Sequence, residues 1–244
     1  MASIIVSVIN HSEGVVTDEA CRTLVTALQT QVSRDFAPAW GVDATLTFVP
    51  TGDQPGPRTW WLSILKNSDR AIALGYHDLT SDGQPIGKCF AGTDNDFGHS
   101  WTVTASHELL EMLADPHVNL TVFMHSTPAD RKLYTYEVCD PCQDDSFAYK
   151  IGDVQVCDFV YPAYFLNTPQ PPGTKFDHLG HLQEPVPALL DFGYINSYDV
   201  NSGTDWHPVS AATLDGAPVR GRSPSRRERR VRPRAEWMRS TVFT

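Results

Sequence analysis

Three ionisable side chains, His107, Glu108 and Glu111, interrupt an otherwise apolar helical stretch that includes Leu109, Leu110, Met112 and Leu113. No other feature of the chain restricts its fold as strongly. A helix that is apolar all round belongs in a core. Burying a histidine and two glutamates there costs several kcal/mol unless a cation or a closed hydrogen-bond network receives them. Positions four apart share a helix face, so His107 and Glu111 can reach one ion while Glu108 projects beside them towards an attacking water. The helix is expected from about residue 100 or 101 to Ala114. Asp115 ends it, because the residue before a proline, here Pro116, is pushed out of the α region.

The surrounding pattern sets the architecture. An apolar, β-branched run at 4–9 reads as a first strand. Thr17 then serves as an N-cap, followed by Asp18 and Glu19. Leu24, Val25, Leu28, Val32 and Phe36 recur at helical spacing before Pro38, which predicts one long amphipathic helix. Strands follow at 44–50, 60–65 and 71–76, with 86–91 as a further strand at the sheet edge. This strand-helix-strand order implies an α/β fold with a mixed, mostly parallel sheet. After the motif helix the pattern turns to β, at 133–138, 147–151 and 154–160, with a hairpin turn at 151–154. Dense proline and glycine predict extended loop over 162–187. The expected organisation is one domain at 1–215, with a sheet-and-helix half at 1–116 and a β- and loop-rich half at 117–215. A basic tail at 216–244 cannot bury enough apolar surface to fold alone.

Charge follows the same division. Residues 220–239 hold nine of the nineteen basic side chains and two acids, which leaves a net charge of −17 on residues 1–219. An acidic body suits cation binding and argues against a nucleic-acid partner except through the arginine-rich tail. No run reaches the roughly 18 apolar residues of a membrane span, and residues 4–9 lack the flanks of a signal peptide. With five cysteines and no disulfide framework, a cytoplasmic location is expected, export by another route remaining open.

His107 and Glu111 need a further ligand. His117 lies ten residues after His107, Asp115 sits at the helix end, and Glu137 and Asp140 follow in Tyr136-Glu137-Val138-Cys139-Asp140. All four are candidates. Zinc accepts carboxylate as well as imidazole, although Glu111 in place of a histidine makes the ion a weaker Lewis acid. A set so rich in hard oxygen donors also suits calcium, as an alternative or additional ion. Cys139, Cys142 and Cys157 read as buried or free thiols ahead of a thiolate zinc site. His99 reads as a loop or capping residue, and the Trp60-Trp61 pair as sheet packing. No nucleophile elbow, phosphate loop or dinucleotide fingerprint is present.

The paired elements His107-Glu108-Leu109-x-Glu111-x-x-x-Asp115-Pro116 and Glu137-Val138-Cys139-Asp140 resemble those of EXORDIUM-like (phosphate-induced) proteins and of bacterial hypothetical proteins with zincin-like helices. The longer string 98–108 is similar to the bacterial group. The resemblance covers about 45 residues and departs from the metzincin pattern at Glu111 and Ala114. It implies a zincin-like fold and a zinc-dependent, metalloprotease-like hydrolase acting on a peptide or protein substrate, with Glu108 as general base. It also implies that an extended substrate pairs with strand 86–91. The alternative is a non-catalytic zincin-like scaffold that binds calcium or zinc and serves in recognition.

Overall fold

The computed structural model describes residues 4–70, 73–203 and 205–211. Strand β1 (Ile4–His11) leads into helix α1 (Asp18–Thr30), whose N-cap Thr17 accepts a hydrogen bond from the Ala20 amide. The single long amphipathic helix expected up to Phe36 does not form. The α-helix is 13 residues long and then widens into a π-helical segment (Gln31–Phe36) before a short α2 (Ala37–Trp40). The physical reason is that the wider turns bury Gln31, Val32 and Phe36 together. Gln31 is then satisfied inside the core: its amide donates to the Cys157 carbonyl at 2.9 Å and accepts from Ser106 Oγ at 2.7 Å.

Strands β2 (Ala44–Val49), β3 (Trp60–Leu65), β4 (Gly75–Leu79) and β5 (Pro85–Phe90) complete a five-stranded sheet in the order β2-β1-β3-β5-β4. Its four neighbouring pairs are parallel except β4–β5, which is antiparallel. The mixed, mostly parallel α/β sheet therefore forms as expected. The edge assignment is corrected: β5 is interior and β4 is the edge, because the chain folds back through a tight turn after Leu79 and pairs β4 outside β5.

Helix α3 (Ala91–Phe97) precedes the motif helix α4 (Trp101–Ala114), in which residues 103 to 113 are all buried. Strands β3, β4 and β5 pack on one side of α4. Strand β9 (Val154–Val156) also packs on α4 and pairs with β8 (Tyr149–Ile151) in a hairpin, which follows the hairpin of β6 (Thr121–Thr127) and β7 (Asp130–Thr135). Strands β10 (Tyr194–Asp199) and β11 (His207–Ser210) then join the earlier hairpin in an antiparallel sheet ordered β11-β10-β7-β6. One core runs from Val6 and Leu62 through Leu109 and Leu110 to Val156, Phe159 and Ile195, so both halves of the chain close over α4. The basic tail expected at 216–244 lies outside the described residues.

Close approach at α4 depends on glycine. A Cβ at Gly75 would stand 2.7 Å from both Glu108 Oε1 and Thr104 Cγ2, so β4 can lie against the motif helix only with no side chain there.

Candidate metal centre

His107, Glu108 and Glu111 are fully buried, as the all-round apolar character of α4 dictates. Their orientation is set by the segment after β7. Val160 N donates to the Val138 carbonyl, holding that segment beside α4. The amides of Cys139 and Asp140 then donate to Glu111 Oε1 at 3.2 and 3.3 Å. With one oxygen fixed by the backbone, Glu111 Oε2 faces inward with no hydrogen-bond partner. It lies 3.3 Å from His107 Nε2, which is 3.2 Å from Asp140 Oδ1. The imidazole nitrogen and Asp140 Oδ1 have no hydrogen-bond partner either.

These separations match the needs of an ion. Four ligands at about 2.0–2.1 Å around tetrahedral zinc stand roughly 3.3–3.4 Å from one another. His107, Glu111 and Asp140 form one group whose ligand atoms are mutually close enough to share a cation.

Of the expected ligands, Glu137 and Asp140 reach the cluster. Asp115 and His117 do not join this group. Asp115 accepts from the amides of Asn119 and Leu120 at 3.0 and 2.8 Å, so its carboxylate shapes the turn after the helix. His117 is exposed. The ten-residue spacing alone does not bring it to the helix face, because Val118 adopts φ 50° and the turn closes with His117 towards solvent.

His77 and Tyr194 were not anticipated. His77 stands in β4, where every residue is buried. Its Nδ1 lies 3.5 Å from Glu111 Oε2 and 3.7 Å from Glu108 Oε2, and its Nε2 lies 3.7 Å from Glu137 Oε2. An ionisable residue in a strand buried on both faces is the signal that could have found it. Tyr194, on β10, follows Gly193, where a Cβ would run into the Pro141 carbonyl. Burial, then the charges of Asp140, Glu111 and Glu137, push its phenol well above the usual range.

Without a cation, protons must balance these charges. Burial alone would strip His77 and His107 of theirs. Glu137, Glu108 and Glu111 around His77, and Glu111 and Asp140 around His107, instead hold both imidazoles well above their ordinary pKa. Burial raises Glu108, and burial followed by the charge of Glu111 raises Asp140 strongly. Glu111 is held well below the carboxylate range: burial opposes this, but the two imidazoles outweigh it. Cation binding would displace these protons, so affinity should fall as pH falls.

Behind the centre, His107 Nδ1 faces Cys157 Sγ at 3.9 Å, and Cys139 belongs to the same group. All five cysteines are buried and none is in a disulfide, and burial pushes the thiols of Cys139 and Cys142 far above their ordinary pKa. The Cys157 sulfur beside His107 Nδ1 is placed to orient the ring, as metal-binding histidines require of their outer neighbours. His99 pairs with Asp145 at 3.5 Å.

No protein-family model, curated protein or solved structure matches the chain. Among the described residues, no helix is long and apolar enough to cross a membrane.

Proposed function

We propose that this chain is a zincin-like, zinc-dependent hydrolase of peptide bonds, with His107, Glu111 and Asp140 holding the ion and Glu108 as general base. The observation that carries the proposal is the convergence of three buried atoms without hydrogen-bond partners, His107 Nε2, Glu111 Oε2 and Asp140 Oδ1, next to a second glutamate on the same helix. Three protein ligands leave a position open for chemistry. A bound zinc would polarise the scissile carbonyl and make an adjacent water more acidic. Glu108 takes the water's proton and delivers it to the departing amine, and its burial-raised pKa suits both holding and releasing that proton. His77 Nδ1 stands 3.7 Å from the Glu108 carboxylate on the β4 side, and Gly75 leaves that carboxylate room.

One observation favours a second reading. His107, Glu108 and Glu111 are entirely shielded from solvent, as suits a non-catalytic scaffold that holds zinc or calcium for stability. Glu108→Gln separates the two. The catalytic reading expects a loss of at least about 100-fold in cleavage of a peptide library, with metal content unchanged by mass spectrometry. Cleavage equal to wild type, or none by either protein, would favour the scaffold.

A further inference from the structure

We propose that the centre is dinuclear, with a second cation held by His77, Glu111 and Glu137 and with Glu111 Oε2 bridging the two ions. This rests on the reading of His107, Glu111 and Asp140 as a metal site, and adds to it a second position on the β4 side.

His77 and Glu137 form with Glu111 a second group of mutually close ligand atoms, all buried, as His107 and Asp140 form the first. Glu111 is common to both, through one oxygen. Its Oε2 stands 3.3 Å from His107 Nε2 and 3.5 Å from His77 Nδ1, both near the separation of ligands on one ion. The backbone amides of Cys139 and Asp140 hold the other oxygen, Oε1. The carboxylate is therefore fixed with Oε2 between the two imidazoles.

His77 supplies the independent observation. It is 2% exposed, and neither ring nitrogen has a hydrogen-bond partner. A buried imidazole with two unsatisfied nitrogens costs free energy that a strand residue of ordinary structural purpose would avoid. Its Nδ1 stands 3.5 Å from Glu111 Oε2, and one ligand atom from each of His77, Glu111 and Glu137 lies close enough to the others to share an ion.

Two ions bridged by one carboxylate oxygen give each ion one imidazole and one further carboxylate, Asp140 for the first and Glu137 for the second. Metals held about 3.5–4 Å apart in this way clamp both the attacking and the leaving atoms of a hydrolysed bond. A single ion gathering His107, His77, Glu111 and Asp140 would instead have four protein ligands, the closed arrangement of a structural site.

The test is zinc stoichiometry on the full chain, stripped with chelator and titrated with zinc chloride by calorimetry, with the bound metal counted after dialysis by mass spectrometry. Wild type is expected to hold two zinc ions per chain, and His77→Ala and Glu137→Gln one each, with thermal melting checking that both variants fold. If His77→Ala does not fold, Glu137→Gln carries the comparison. One zinc on wild type that both variants keep would overturn the second position. So would one zinc on wild type that His77→Ala loses, since that describes a single shared ion. No zinc on wild type would remove the underlying metal reading as well.

Discussion

Glu111 and Asp158 are both wholly buried carboxylates, yet they are used in opposite ways. Glu111 gives one oxygen to two backbone amides and keeps the other for His107 and His77. Asp158 Oδ1 accepts from the amides of Phe159 and Leu179, its Oδ2 has no hydrogen-bond partner, and Asp177 is its acidic neighbour. Asp177 in turn gives both oxygens to the amides of His181 and Leu182. His181 completes a candidate ligand group there but is exposed, and no buried imidazole enters it. Burial and Asp177 raise the Asp158 pKa, so a proton on Asp158 answers the charge of the pair, and the amides of Leu179, His181 and Leu182 tie the loop at 177–182 to the two acids. Burial of acids alone does not mark a metal site. What marks the α4 cluster is that spare atoms of opposite character point at common positions.

The largest effect that would sharpen this contrast is on stability. An ion at a thousandfold excess over its Kd adds about 4 kcal/mol, which is about 10 °C in Tm for a domain of this size. Chelation is expected to lower the melting temperature of wild type by that amount and to leave Glu111→Ala unmoved. A wild-type Tm indifferent to chelator would erase the distinction between the two acid sets.

A smaller effect should appear at the Asp158–Asp177 pair. Burial, then the hydrogen bond and charge of Asp177, raise the Asp158 pKa to about 9. Below about pH 4 both folded and unfolded chains hold this proton, and the group is neutral to stability. Above that, the unfolded chain releases it while the folded chain keeps it, so stability falls as pH rises until the folded carboxyl also titrates near 9. Asp158→Asn keeps an acceptor for the loop amides and a donor for Asp177 without titrating. In urea unfolding its stability relative to wild type is expected to rise with pH, from little difference at pH 4 to its full margin at pH 8.5. A gap of the same size at both values would mean that the pair holds no proton.

The same contrast explains what could be read from the sequence. His107, Glu108 and Glu111 were legible because four-residue spacing on a helix is a local rule. Glu137 and Asp140 were legible because an apolar strand ran straight into acids. His77 was not, because β4 meets α4 only through the order of strands in the sheet, and the apolar run at 71–76 stops one residue short of it, while β4 spans Gly75–Leu79. Tyr194 comes from a strand that pairs with β7 some sixty residues upstream, and β6, β10 and β11 lack the clean alternation that marks a strand. The break in the first helix was hidden for a related reason. Leu24, Leu28, Val32 and Phe36 keep helical spacing, while the need that widens the helix, a core partner for Gln31, lies at Ser106 and Cys157.

X-ray absorption at the zinc edge, on protein purified without added metal, reads the ligands of the ion at α4. A shell of nitrogen and oxygen at about 2.0–2.1 Å with no sulfur is expected, from His107, Glu111 and Asp140. A sulfur shell near 2.3 Å would move the ion to Cys139 and Cys157, and zinc absent from the protein would contradict the account outright.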